Sequence, residues 1–275
     1  MRAVVRWLAL PVLIATSVVG VLLAISMRLP IVPVLAAGGA LYAGIVLALE
    51  RWFPYAPQWQ RSRGDVPTDI AHLAVTGGLI EFAPALGLSP SASAAIWPTG
   101  WPLAAQVALA LLATELLDYW VHRLLHGPLW RFHAVHHSAA RLYWMNSWRL
   151  HPVEGLLYWC GTVVPLLALG APRTPLIVVW AATTVFRMVQ HSNVDVRLGL
   201  LNWVVAGPEL HRWHHSRDRT ESEANYGNAL IVWDVLFGTR RLPDRAPPLD
   251  VGLAGKPYPS SYVAQILAPF RGIVP

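Results

Sequence analysis

Charged side chains are scarce in this sequence: they make up 13% of its 275 residues, against about 25% in a typical soluble domain. Two stretches, residues 8–27 and 29–49, carry no charge at all over 20 and 21 residues. Each is long enough to cross a hydrocarbon core of roughly 30 Å. The first exceeds the apolar region of a signal peptide, and the second follows almost at once. We therefore predict a transmembrane hairpin in residues 1–50.

Cysteine and several cofactor motifs are also nearly or wholly missing. The only cysteine, Cys160, excludes an intrachain disulfide and a cysteine-ligated iron–sulfur cluster. There is no CxxCH haem-attachment motif and no dinucleotide fingerprint. HExxH is absent as well, because Arg123 follows His122, which argues against a zinc protease. The sequence thus encodes no electron-carrying cofactor site of these kinds.

The remaining apolar stretches predict an all-α integral membrane protein with about four transmembrane helices. A third run covers residues 70–88 and contains Glu81, a turn follows at 89–102, and a fourth span covers 103–121. Two shorter runs, 155–172 and 174–186, are broken by prolines. They fit either a short transmembrane hairpin or a re-entrant one, and the sequence leaves both open.

Arginines flank the first two spans and set the expected orientation. Two arginines precede the hairpin and three follow it: Arg2 and Arg6, then Arg51, Arg61 and Arg63. By the positive-inside rule, we expect all five to lie in the cytoplasm. We then expect a cytoplasmic linker at 51–69, a catalytic membrane domain at 70–243 under a cytoplasmic helical cap, and a cytoplasmic tail at 244–275. We expect the inner membrane of a bacterium, with the active site on its cytoplasmic side.

The net charge of +6 arises after residue 120, where 15 basic side chains face nine acidic ones. A basic half can bind nucleic acid, but contact with anionic headgroups suits a membrane protein better, so we expect no nucleic-acid partner. Six arginines alternate with the histidines and suggest either a headgroup-binding rim or a docking face for an acidic electron-transfer partner. They are Arg131, Arg141, Arg149, Arg212, Arg217 and Arg219.

Ten of the eleven histidines fall within or near short clusters, and His72 stands apart. The clusters read HRLLH, HAVHH and HRWHH, and RLHPVE and QHSN carry one histidine each. Residues three or four apart share a helical face, so HxxxH can point two imidazoles in one direction, and each HxxHH can point its first and last histidines together. The ten are His122, His126, His133, His136, His137, His151, His191, His211, His214 and His215.

This number of imidazoles exceeds what one four- or five-coordinate ion can use and divides naturally between two ions. Imidazole suits iron, zinc, copper and nickel. A site made of nitrogen ligands differs from the soluble di-iron bundles, which rely on Glu and Glu-x-x-His. The pattern predicts a di-metal centre bound by histidine.

The order HRLLH, HAVHH, HRWHH resembles that of the fatty acid hydroxylase superfamily, also called the sterol desaturase family. The tail NYGNALIVWDVLFGT at residues 225–239 is similar too, as are RLHPVE and QHSN. The resemblance covers residues 69–243. It implies two iron ions, with zinc as a substitute in isolated protein, and O2 as co-substrate. It also implies the clustered histidines as ligands, with His151 and His191 as further ligands.

Some relatives place another histidine shortly after the one matching His191. Here Asp195 stands four residues on, so a carboxylate, a water bound to Asn193, or an open position all fit. Metal-bound histidines normally give their second N–H to a carboxylate or carbonyl. Asp118 shares a helical face with His122 and is such a candidate, as are Asn228, Asp234 and Glu154.

The resemblance implies an oxidoreductase that hydroxylates an unactivated C–H bond of a lipid, whether a fatty acyl, sterol or isoprenoid chain. A desaturase of the same family is the alternative, and a zinc-dependent membrane hydrolase or a non-enzymatic carrier are others. Because the sequence encodes no redox cofactor of its own, electrons must come from a separate ferredoxin, cytochrome or reductase. The identity of the lipid cannot be derived from the residues.

Overall fold

The computed structural model describes residues 1–78, 96–255 and 257–273, and this part of the chain is helical, with isolated β-bridges but no β-strand. Short 3-10 turns interrupt the α-helices at Pro57–Gln60, Trp144–Trp148, Gly199–Trp203 and Ala268–Arg271. The α-helices are α1 (Arg2–Ser26), α2 (Ile31–Trp52), α3 (Val66–His72), α4 (Leu103–Leu125), α5 (Trp130–His137), α6 (Pro152–Ala168), α7 (Arg173–His191), α8 (Pro208–His214), α9 (Arg219–Ser222), α10 (Val232–Phe237) and α11 (Tyr262–Leu267).

Three of these helices, α1, α2 and α4, are long and apolar enough to cross a membrane, and α6 is a shorter apolar helix. Large apolar side chains of α1, such as Leu8, Val12 and Val19, are more or less half exposed, at 50%, 52% and 55%. A surface this apolar suits lipid rather than water. The chain is therefore a membrane protein, and the predicted N-terminal hairpin corresponds to α1 and α2.

Prolines mark the beginnings of three long helices. Pro30, Pro102 and Pro172 each stand at the N-cap, immediately before α2, α4 and α7. A proline inside an apolar run does not always end a helix. In α6, a π turn at Trp159–Val163 precedes Pro165, and the helical path continues to Ala168.

Only the beginning of the third predicted span lies in the described part of the chain. There α3 passes into a π turn at Leu73–Gly77. Glu81 and the first half of the predicted turn at 89–102 lie outside the described residues. The runs at 155–172 and 174–186 correspond to α6 and α7, two helices joined by a short turn.

Helix α7 lies at the centre of the bundle. It packs on α1, α2 and α4 and on the turn Trp144–Trp148. Val185 and Val189 join Leu10, Leu13 and Val46 in the largest apolar core. The Ser17 hydroxyl donates to the Ala181 carbonyl at 3.0 Å and fixes α1 along α7.

Buried polar contacts attach the loops at 143–149 and 192–195 to the helices around them. The carboxylate of Glu50, at the end of α2, accepts hydrogen bonds from the backbone N–H groups of Trp144 (2.8 Å) and Asn193 (2.9 Å). Asp69 on α3 pairs with Arg149 at 2.5 Å and accepts a hydrogen bond from the Tyr143 hydroxyl. Buried charges that are paired in this way hold the loops in one arrangement.

Candidate metal centre

Nine buried histidines converge from four segments of the chain. The end of α4, all of α5, the last residue of α7, and α8 with the residue after it each contribute at least one imidazole. None of the nine is more than 7% exposed. They are His122, His126, His133, His136, His137, His191, His211, His214 and His215.

These side chains form two groups, within each of which the candidate ligand atoms lie within 4.8 Å of one another. Group one contains five histidines and group two contains four. The groups adjoin, since the rings of His137 and His215 stack with centroids 4.5 Å apart. Group one is His122, His126, His133, His137 and His214; group two is His136, His191, His211 and His215.

The two HxxHH motifs share their histidines between the groups in opposite ways. In α5, the first and last histidines, His133 and His137, belong to group one, while His136 belongs to group two. In α8, His211 and His215 belong to group two, while His214 turns to group one. In each motif the last two histidines are adjacent, so their side chains leave the helix about 100° apart and reach different groups. Each motif therefore links both groups.

In group one, hydrogen bonds fix the tautomers. The Nδ1–H of His122 donates to the Tyr226 carbonyl at 2.7 Å, and that of His133 to the Glu154 carboxylate at 2.7 Å. Each ring then carries its lone pair on Nε2, and these two Nε2 atoms lie 3.1 Å apart. Two facing lone pairs repel unless a cation lies between them. A metal ion fits this arrangement.

The other members of group one support the same conclusion. The Nδ1–H of His214 donates to the Ala224 carbonyl at 2.8 Å, which leaves its Nε2 as an acceptor. The Nε2 atoms of His126, His137 and His214 are buried and have no hydrogen-bond partner among the described residues. Buried polar atoms are nearly always satisfied. Metal coordination would satisfy all three.

Group two shows a similar convergence. His191 donates from Nδ1 to the Arg187 carbonyl at 3.0 Å, so its Nε2 carries a lone pair. That atom lies 3.2 Å from Nε2 of His136 and 2.8 Å from Nε2 of His211, which is itself 3.0 Å from Nε2 of His215. A single proton on His211 can satisfy only one of its two contacts at a time. A cation again accounts for the whole set.

Burial keeps these imidazoles neutral. It lowers the pKa of each histidine of α5, of α8 and of the residue after α8 well below its usual range. Neighbouring imidazoles lower these pKa values further. A neutral ring is the form that binds a metal. This applies to His133, His136, His137, His211, His214 and His215.

Among the candidate supporting carboxylates, Glu154 is the one that contacts a histidine. Asp118 instead accepts from the Thr162 hydroxyl at 2.7 Å and the Asn228 amide at 3.2 Å. Asp234 acts through the backbone, because it accepts from the N–H groups of Tyr226 and Gly227. It thereby holds the Tyr226 carbonyl, which accepts the hydrogen bond from His122 Nδ1–H.

Gly227 is required by this turn. A Cβ at this position would lie 2.1 Å from the Leu230 carbonyl oxygen and 3.1 Å from Asp234 Oδ2. Asn225, two residues earlier, adopts a positive φ of 57° and binds the Leu210 and Arg241 carbonyls through its amide. The NYGN segment is thus a shaped support for group one.

Three predicted site residues lie elsewhere. His151 is not in either group: its Nδ1 accepts from the Val153 N–H as the N-cap of α6, and its Nε2–H donates to the Ile266 carbonyl at 3.0 Å. Both nitrogens are therefore engaged in the fold. Asn193 binds the backbone of Ala56, and Asp195 pairs with Arg6. His72, which the sequence left outside the clusters, binds Leu150 and Gln265.

A narrow cavity of about 230 Å³ adjoins both groups. Histidines of each group line it at one end. Six α7 residues spaced three and four apart line its length, and from the first of them to His191 the helix rises by about 27 Å. Those six are Arg173, Leu176, Trp180, Thr183, Arg187 and Gln190. The wall is polar near the histidines, at Asp118, Thr162 and Asn228, and includes apolar Leu166 and Ile177 farther away, with Arg173 at the far end of α7.

Sequence reasoning missed the backbone carbonyls of Tyr226 and Ala224 and the ring of Trp130. Trp130 packs against His126 and His137, each with a centroid distance of 5.3 Å. Carbonyls have no sequence signature. A signal for Trp130 did exist, since it stands three residues before His133 on the same helix.

The structure thus defines a class: helical membrane proteins with a buried histidine cluster able to hold metal ions. The profile of the fatty acid hydroxylase family matches residues 107–239. Ornithine lipid hydroxylase OlsE of Rhizobium tropici is 39% identical over 240 residues, which are 82% of this chain and 72% of the relative. The chain belongs to the fatty acid hydroxylase family, as its motifs predicted.

More distant relatives agree in reaction type. Alkylglycerol monooxygenase of Homo sapiens is 30% identical over 132 residues, 47% of this chain and 29% of the relative. Methylsterol monooxygenase erg25A of Aspergillus fumigatus is 31% identical over 177 residues, 60% of this chain and 57% of the relative. No solved structure gives a significant match. The chain is an oxidoreductase of a family of lipid-hydroxylating monooxygenases.

Proposed function

We propose that this enzyme hydroxylates an unactivated C–H bond of a membrane lipid at two iron ions held by the nine converging histidines. The observation that carries the proposal is that both histidine groups, with their facing lone pairs, adjoin the same cavity. His122 and His133 line it from group one, and His136, His191 and His211 line it from group two. A lipid chain lying along α7 would end at both groups.

The donor set favours iron with nitrogen ligands. Nine neutral imidazoles suit iron, copper, nickel or zinc, and the monooxygenase relatives favour iron. When bound, the two ions would supply O2 activation and removal of a hydrogen atom from the lipid. Zinc in isolated protein would then be a replacement for lost iron.

The protein itself positions the lipid and excludes water from the reacting atoms. The apolar wall of the cavity fixes the lipid along α7, and the polar residues at the histidine end leave one carbon facing the centre. Burial of all nine histidines excludes bulk water from the reacting atoms. Glu154 accepts a hydrogen bond from the Nδ1–H of His133 and so keeps the His133 Nε2 available as a ligand. Holding reactants in this way is a large part of rate acceleration.

The membrane arrangement that we propose with this function has α1, α2 and α4 as spans, and the sequence predicts a fourth span at 70–88, of which 79–88 lie outside the described residues. Helices α6 and α7 would add a short or re-entrant hairpin. Residues 1–50, 51–69, 70–243 and 244–275 would then be the hairpin, the linker, the catalytic domain and the tail. The histidines at the ends of α4 and α7 would lie under a cytoplasmic cap at a bacterial inner membrane.

Cysteine labelling would test this orientation. In a Cys160→Ser background, single cysteines would replace Leu29, between α1 and α2, and Ser62, after α2. We expect a membrane-impermeant maleimide to label position 29 in intact cells, and position 62 only after lysis. The reverse pattern would contradict a cytoplasmic active site.

Metal analysis and lipidomics would test the function itself. We expect anaerobically purified protein to contain two irons with a coupled di-iron Mössbauer spectrum. We expect cells with the intact gene to contain a lipid that is heavier by one oxygen, and this lipid to disappear on His136→Ala or His214→Ala substitution. A product lacking two hydrogens would indicate desaturation. One tightly bound zinc and no iron would indicate a hydrolase and contradict the proposal.

A further inference from the structure

One aromatic residue packs directly on the histidines of group one. Trp130, at the first position of α5, is half-buried, and its ring packs on His126 and His137 at 5.3 Å and on His133 at 6.0 Å. The Arg219 guanidinium lies 5.7 Å from the centre of the same ring. Arg131 follows on α5 and is exposed. We call Trp130, Arg131 and Arg219 the Trp130 face.

Only part of the arginine set that the sequence singled out is exposed beside Trp130. Arg141, Arg149 and Arg212 are 5% exposed or less and bind Asp65, Asp69 and backbone carbonyls. Those three belong to the fold. Arg217 pairs with Asp250 and the Leu253 carbonyl. Arg131 and Arg219 remain as exposed cations next to Trp130, with Glu223 pairing with Arg219 at 2.6 Å.

The surroundings of Arg219 are polar. The exposed residues at 217–220 and at 223 are all polar or charged. By contrast, the segments that suit a membrane surface expose large apolar side chains, such as Leu200 (86%), Trp203 (56%) and Leu236 (68%). Arg123 borders exposed Trp120 and Leu124 and so belongs to that apolar side. The Trp130 face therefore fits water and a soluble partner better than lipid headgroups.

We propose that the Trp130 face is the docking site for an acidic one-electron carrier protein that reduces the metal centre through group one. This inference rests on the proposed function. Hydroxylation consumes one O2, one C–H bond, two electrons and two protons, and yields one alcohol and one water. Two successive carriers, each oxidised by one electron, would supply the electrons across a single indole ring.

Charge reversal on the face would test docking apart from catalysis. The probe is an acidic plant-type [2Fe–2S] ferredoxin, and the enzyme is the full chain in phosphatidylcholine nanodiscs. We expect Arg131→Glu/Arg219→Glu to weaken ferredoxin binding to metal-free enzyme at least about tenfold at low ionic strength and less at high salt. Arg61→Glu/Arg63→Glu makes the same charge change on two exposed arginines outside the face and should leave binding unchanged.

Reduction of the loaded centre gives a second readout. In the double Glu variant we expect ferredoxin to reduce the centre at least about tenfold more slowly, while reduced methyl viologen acts at nearly the normal rate. Arg131→Gln/Arg219→Gln should give a smaller loss and serves if the Glu variant does not fold. Unchanged ferredoxin binding would overturn the proposal, and so would equal slowing of both reductants. A defect seen only with anionic lipid would assign the face to headgroups instead. If anaerobically purified protein held no iron while ferredoxin still docked at the Trp130 face, the proposed function would be refuted and the docking site would stand.

Discussion

The two histidine groups differ in how firmly the surrounding fold holds them. In group one, three of five rings donate from Nδ1 to fixed acceptors: the Tyr226 and Ala224 carbonyls and the Glu154 carboxylate. In group two, His191 has such an acceptor, but in the described part of the chain the buried Nδ1 atoms of His211 and His215 have no hydrogen-bond partner. Group one is thus an anchored site with an extra ligand, and group two has fewer ligands and fewer anchors.

This difference assigns the groups different tasks. Outer hydrogen bonds orient ligands and raise metal affinity, so group one should bind its ion more tightly. Four imidazoles leave an iron ion with an open position, as catalytic sites commonly do. Three of the four histidines of group two line the cavity. We therefore expect O2 and the substrate to react at group two. We expect the ion at group one to serve as the electron reservoir.

Removal of one ligand from each group should give the largest contrast. His211→Ala leaves three imidazoles in group two, and we expect its iron affinity to fall by more than the roughly 100-fold that an outer hydrogen bond can cost. His126→Ala leaves four imidazoles in group one, three of them anchored, and should retain most of its iron. Iron content and Mössbauer spectra would measure both. Equal losses in the two variants would contradict the assigned difference.

Removal of the carboxylate anchor should weaken group one alone. Glu154→Leu removes the acceptor for the His133 Nδ1 proton, and we expect about 10–100-fold weaker binding of one iron. Glu154→Gln keeps an acceptor oxygen and should lose less. Glu209→Gln is the matched control, because this carboxylate on α8 binds Leu198 and Asn202 rather than a histidine. Competition with a chelator would give the two iron affinities. Loss of the group-two ion instead would show that the groups are not separable.

Crowding the turn behind group one should destabilise the protein as well as the site. In Gly227→Ala, the new Cβ meets the Leu230 carbonyl, so the backbone that presents the Tyr226 carbonyl must shift. We expect a loss of about 1–3 kcal/mol in the free energy of unfolding, accompanied by weaker iron binding in group one. Gly20→Ala, where a Cβ meets nothing within 4 Å, should be nearly neutral. Thermal unfolding in detergent and iron content would show whether the two effects occur together.

The spacing of the histidines allowed most of the candidate centre to be predicted. An i, i+4 pair shares a helical face, so the sequence alone predicts that His133 pairs with His137 and that His211 pairs with His215. The structure places each of these pairs within one group. The partition into groups was not predictable, because it depends on how α5 and α8 meet. The family motifs predicted the helical membrane class. The packing of α7 at the centre depends on contacts with α1 that no local pattern encodes.

His151 is a histidine whose role the sequence pattern does not predict. Its neighbours in sequence, Pro152 and Glu154, give it the same appearance as a ligand motif, and the fold instead uses both of its nitrogens. The cause is local: α6 begins at Pro152 and needs an N-cap acceptor, which Nδ1 of His151 supplies to the Val153 N–H at 3.1 Å. The C-terminal segment then brings the Ile266 carbonyl to Nε2.

Replacement of His151 should therefore give the smallest effect and separate it from His191. His151→Asn keeps a capping oxygen and should retain both irons with little change in stability. His151→Ala removes the cap, and we expect a loss of about 1 kcal/mol in the free energy of unfolding, again with both irons present. His191→Asn, by contrast, should lose the group-two ion, because its Nε2 lies within 3.2 Å of two other ring nitrogens. If His151→Asn lost an iron while remaining folded, a tenth ligand would have to be added to the centre, and the count of four in group two would no longer explain an open position.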